Sequence, residues 1–243
     1  MKPSEAPADW LDRRAAMADL DTAFEQKVSA MDDRRIAKRL DLGLNVVAFD
    51  PGGTTGWSIM RVDPKKLLDK TVRPHETILD WYHGEIDCGA NSGQISNTAA
   101  AQGIDLGGSA SGEAAGVFMM ERLIRLGGRV PAATVVVEDF ILRTQSKKRD
   151  AISPVRLISS LDTLLWMERI APEAAKQQPS EAETTITDER LKQWGFWVSG
   201  SRHARDADRH ALLFIRKVRE QRAKVFRAWP LLKEGIDRGL IQL

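Results

Sequence analysis

The sequence predicts an α/β protein built on a mixed, five-stranded sheet with helices on its faces. Three observations carry that prediction. LNVVAFD (44–50) and ATVVVEDF (133–140) are continuous apolar runs of β-formers that end in acids, the pattern of buried strands. WSIMRV (57–62) and ILDWYHGEI (78–86) follow the first run as an antiparallel meander. From there to the end, helical periodicity alternates with short β-like stretches, as in αβ units.

Each element has its own reason. Residues 8–40 read as an amphipathic helix, because Trp10, Met17, Phe24 and Met31 recur every seven residues beside Leu20 and Val28. The stripe is short and mixed for a coiled coil, so a helix laid on the body of the protein or a partner helix are both open. PGGTTG (51–56) is a glycine-rich turn. DPKKLLDKTVRPHE (63–76) is a polar, proline-containing connection. Residues 89–113, rich in Gly, Ser, Ala and Asn, read as a mobile loop. A helix over 114–126 buries Val117, Met120, Leu123 and Ile124. Pro154 starts the next helix, which runs to about Ile170. KQQPSEAETTIT (176–187) holds a short strand, and DERLKQWG (188–195) a helix stopped by Gly195. A long helix over 202–226 and a last one over 230–240 complete the chain.

Composition sets bounds. The 243 residues are 42% hydrophobic and 29% charged, enough for a soluble chain with a sizeable core. No apolar run approaches the ~20 residues of a membrane span. MKPSEAPADWLDRR has no apolar signal region, so a secretory signal is not expected. The single cysteine, Cys88, excludes an internal disulfide framework and a cysteine-cluster zinc site, so a cytoplasmic setting is expected. A net charge of +2 favours no partner by itself.

Three acids stand where chemistry could use them. Asp50 and Glu138 each end a strand, and Asp206 lies near the start of a long helix in SRHARDADRHALLF. One acid at a strand end is usually a cap or turn residue. If the two strands are adjacent and parallel, both carboxylates emerge at one sheet edge, where open α/β sheets bind ligands. Carboxylates so close need a cation to stay ionised together. Hard oxygen ligands favour Mg²⁺, or Mn²⁺ in its place, over zinc. Two such ions can drive an in-line phosphodiester displacement. His203 and Asp206 share a helix face at i,i+3, and His210 follows at i,i+4. His203 is the first choice for the site, since His210 opens the apolar run ALLFI and reads as packed. Asp139 and Asp208 point away from the site.

FDPGGTTGWSIM, VVVEDF and HARDADRHALL resemble the RuvC-type Holliday-junction resolvases of the RNase H-like nuclease superfamily, phage-borne versions in particular. The resemblance covers roughly residues 44–225. It implies an RNase H-like domain over 44–228, with an N-terminal helical extension (1–43) and a C-terminal helical tail (229–243) outside it. It implies that Asp50, Glu138, His203 and Asp206 are metal ligands and catalytic groups. It also implies a homodimer, since two symmetric strands of a four-way junction must be cut. The expected activity is a Mg²⁺-dependent endonuclease of DNA recombination and repair, leaving a 5′-phosphate and a 3′-hydroxyl. DNA contacts are expected from Arg143, Lys147, Lys148 and Arg149, just past Glu138, and from Arg202 and Arg205. Phe140 or Ile141 could wedge against an unstacked base or belong to the core, and Trp57 reads as core. The same chemistry on flaps, forks or packaged phage DNA is an alternative. D-P-G-G-T-T-G also suits the phosphate loop of actin-like phosphotransferases, but those need two such domains.

Overall fold

The computed structural model describes residues 20–89, 110–127, 133–140 and 153–242. Most of the glycine-rich 89–113 stretch, and the basic 143–149 stretch, lie outside the described residues, as does the start of the N-terminal helix.

The sheet order is β3-β2-β1-β4-β5. β1 (Leu44–Asp50), β2 (Thr54–Val62) and β3 (Ile78–Asp87) form the antiparallel meander. β4 (Ala133–Glu138) pairs parallel to β1, and β5 (Ala175–Gln177) parallel to β4. This is the mixed five-stranded α/β sheet that the sequence predicts. Side-chain alternation along β1 divides the core between two faces. Val46 and Ala48 point to one hydrophobic cluster, Val47 and Phe49 to the other.

The helices on the first face start with α1 (Leu20–Ser29) and α2 (Asp33–Asp41). The expected single helix is broken because the Asp32 carboxylate caps α2, accepting the Arg35 N–H at 2.8 Å. The polar connection after β2 forms a short α3 (Pro64–Leu68), its first turn capped by Asp63. α4 (Ala110–Gly127) and α5 (Ser153–Glu168) cover the second face.

Back on the first face lie α6 (Pro179–Thr185), α7 (Asp188–Trp194) and α8 (Arg202–Arg219). Gly195 ends α7 at φ +81°, as predicted. Two short helices complete that layer, α9 (Arg222–Ala228) and α10 (Pro230–Asp237). The expected helix over 202–226 is therefore interrupted. Arg219 donates to the carbonyls of Leu67 (2.9 Å) and Val72 (2.7 Å) and also to that of Asp69, anchoring the end of α8. The chain then turns back to bury Val225 and Trp229.

α10 fastens to the N-terminal helices. Arg238 donates to the carbonyls of Ser29 and Met31 at 2.8 Å, and Ser29 Oγ donates to Glu234 at 2.6 Å. Among the described residues no helix is long and apolar enough to cross a membrane.

Candidate metal centre

The site is assembled by register. Phe49 faces Val137 across the parallel pair, so the last residues of β1 and β4, Asp50 and Glu138, come side by side. Gln177 of β5 pairs with Glu138 and extends the row. Alternation turns Asp50 and Glu138 to the same face as Val46 and Val136, the face that α8 covers.

α8 can reach that row because of one glycine. A Cβ on Gly56, opposite Asp50 in β2, would lie 1.9 Å from the His203 carbonyl oxygen. The first turn of the helix thus rests on bare backbone. Its free N–H groups need partners, and Glu85 of β3 accepts the His203 N–H at 3.1 Å.

The geometry brings Asp50, His203 and Asp206 together, with one ligand atom of each within 4.8 Å of the others. His203 Nδ1 lies 2.8 Å from Asp50 Oδ2. Glu138 stands beside this trio rather than within it. It is taken up by His210, whose Nε2 lies 2.8 Å from Glu138 Oε2. With the Gln177 amide nitrogen turned to the ring, it donates to His210 Nδ1 at 3.0 Å. That fixes the tautomer: Nε2 carries the proton and donates it to Glu138. His210 is 1% exposed, so it is packed, as expected, and also positions an acid.

Charge balance argues for a cation. Burial raises the Asp50 carboxyl to about 6; the His203 hydrogen bond pulls it down, and the charges of Glu138 and Asp206 push it up. Burial likewise raises Asp206, against the attraction of Arg209 and Arg202. The contact to Asp50 raises His203. Even with the His203 imidazole and the Arg209 and Arg202 guanidiniums nearby, burial and mutual repulsion hold the Asp50 and Asp206 carboxyls above their ordinary range. Oxygen donors with one imidazole and no thiolate fit Mg²⁺ or Mn²⁺. Asp50, Asp206 and His203 are the residues that could hold such an ion, with Glu138 alongside.

Arg209 is a part of the site that sequence reading missed. It pairs with both Asp206 and Asp188 and donates to the Ile186 carbonyl at 3.1 Å. Its i,i+3 spacing from Asp206 was visible, but Asp188 arrives only through folding. Asp208 points away as expected. It is fully buried, accepting from Trp81 Nε1 at 2.6 Å and lying 2.7 Å from His83 Nδ1, which ties β3 to α8. Asp139 also points elsewhere, accepting from Gln178 at 3.1 Å.

The two described cations proposed for DNA differ. Arg202 has a side chain 78% exposed, 3.8 Å from Asp206. Arg205 is folded onto the Trp197 ring at 4.5 Å and donates to the Val198 carbonyl at 3.0 Å. Phe140 packs against the second core cluster.

No protein-family model and no curated protein matches the chain. Solved RuvC structures do. The chain is similar to a Thermus thermophilus RuvC structure at 16% identity and a TM-score of 0.39, over 70% of this chain and 92% of that one. It is similar to T. thermophilus RuvC in complex with a Holliday junction substrate at 15% identity and a TM-score of 0.40, over 70% of this chain and 91% of that one. Both alignments are loose, and the site geometry stands apart from them.

Proposed function

We propose that the protein is a divalent-metal-dependent endonuclease that cuts branched DNA, four-way junctions first, and acts as a homodimer. The observation that carries the reading is the convergence of Asp50, His203 and Asp206 beside Glu138 at one sheet edge. A bound Mg²⁺ would supply Lewis-acid polarisation of the phosphodiester and a more acidic water.

The chain's own groups do the rest. Asp50 and Asp206 hold charge at fixed positions, Asp50 on a strand and Asp206 on a helix clamped by Arg209. Glu138 is kept in orientation by the His210–Gln177 pair, free to accept a proton or a water. His203 Nδ1 sits 2.8 Å from Asp50 Oδ2, and a protonated Nδ1 donates to that carboxylate. Exposed Arg202, at the mouth, suits a DNA phosphate. The expected products are a 5′-phosphate and a 3′-hydroxyl. The described residues form one sheet, where an actin-like phosphotransferase clamps its nucleotide between two.

The test is a cleavage gel on a synthetic four-way junction, a flap and a linear duplex, with and without Mg²⁺. Metal-dependent cutting of the junction, abolished by Asp50→Asn with binding kept, is the expected result. Undiminished cutting by that variant would remove the site from the reading.

A further inference from the structure

The sheet face opposite the metal centre is open beside Ile59 and Arg61 of β2 and Asp80 and Tyr82 of β3. α4 packs on that face against β1, β2, β3 and β4 but leaves a groove of about 810 Å³, bounded by Leu126 of α4 on one side and by the end of α2 on the other. Two aromatic rings form its floor. Tyr82 is 62% exposed, an unusual place for so large an apolar surface in the middle of a strand. Its neighbours Trp81 and His83 point to the other face, held by Asp208, so Tyr82 is fixed outward by alternation. Trp57 lies beside it, half-buried, packed as expected against the second core cluster and still lining the groove. A Cβ on Gly84 would meet the Trp57 ring at 2.8 Å, so the indole lies across bare backbone instead of standing upright.

The rim is basic. Arg35 and Lys38 are exposed on α2, and Arg61 is paired with Asp80 and donates to the Leu42 carbonyl at 3.2 Å. One ring lying across the sheet and a second exposed beside it, flanked by cations on one side, match the chemistry of an unpaired polynucleotide: π-faces for the bases and positive charge for the phosphates.

We propose that this groove binds a single strand of nucleic acid, its bases stacked on Tyr82 and Trp57 and its phosphates against Arg35 and Lys38. The inference extends the nuclease reading and rests on it only for the source of that strand, nucleotides unpaired at a branch point or in a flap. Trp57 follows Gly56, the residue under His203, so the platform starts one residue from the metal centre on the reverse side of the same strand.

The experiment is fluorescence anisotropy of the full chain with labelled oligo-dT of about 12 nucleotides, in EDTA so that nothing is cut. Tyr82→Ala should weaken binding by roughly 5- to 100-fold, while Tyr82→Phe, which keeps the ring, should not. Arg35→Ala with Lys38→Ala should weaken it too, and should flatten the salt dependence by about 1.4 in log–log slope, for two lost phosphate contacts. Circular dichroism melts check that each variant is folded. Unchanged oligo-dT affinity in both Tyr82→Ala and the double variant overturns the proposal. So does sedimentation in which those variants lose only self-association, because a second copy then covers the face. Junction cleavage in Mg²⁺ by the parent chain is read separately, so the platform and the nuclease reading can fail independently.

Discussion

Asp50 is the residue whose chemistry is most exposed to test. Its folded carboxyl titrates near 6 against an ordinary 3.8, so the folded chain holds that proton more tightly than the unfolded one. Metal-free stability therefore falls as pH rises from about 4 to about 6, and above that window the whole penalty stands, about 3 kcal/mol at most. Asp50→Asn removes it. In EDTA at pH 7.5 the variant should unfold at higher urea than the parent, by about 1–3 kcal/mol, with the gap closing near pH 4. A parent more stable than the variant at pH 7.5 would contradict the charge argument. His210 carries a second prediction. His210→Ala leaves Glu138 without its donor and should slow cutting by about 10- to 100-fold. Gln177→Ala, one contact further out, should cost less. The acids at the strand ends and the His-x-x-Asp spacing were legible in the sequence. The Glu138–His210–Gln177 chain and the Arg209–Asp188 pair were not, since they join residues that only tertiary contact makes neighbours.

At the scale of elements, α8 is decisive, because it brings His203, Asp206 and His210 to the sheet together. Its approach depends on Gly56. Gly56→Ala places a methyl group into the His203 backbone, and backbone does not yield as a flexible side chain does. The expected cost is about 1–3 kcal/mol in stability. The larger effect should be on cutting, down about 100-fold, because the first turn shifts while the rest of α8 stays packed. Rate and urea midpoint measured on one preparation separate the two. The strands were readable from apolar runs and alternation. The breaks between α1 and α2 and between α8 and α9 were not expected. The first comes from a local cap at Asp32, and the second from Arg219 reaching carbonyls some 150 residues away in sequence. A periodicity argument sees neither.

Over the whole molecule, metal and folding are linked. If an ion binds the folded site and not the unfolded chain, it stabilises by about 2.7 kcal/mol at a hundred times its dissociation constant. For a chain of this size that is a rise in Tm of about 5–10 °C. Thermal scans in EDTA, Mg²⁺ and Mn²⁺ should show that rise in the parent and lose it in Asp206→Asn. An equal rise in the variant would place the ion elsewhere.

The sequence by itself determined the strands, the fold class and the identity of the acids, because apolar patterning and strand-end acids are local properties of the chain. Folding alone decided that Asp50, His203 and Asp206 meet while Glu138 is held by His210, and that Tyr82 and Trp57 share an open face. Those outcomes depend on strand register and on one close helix approach over Gly56, and no local pattern encodes which distant side chains come into contact.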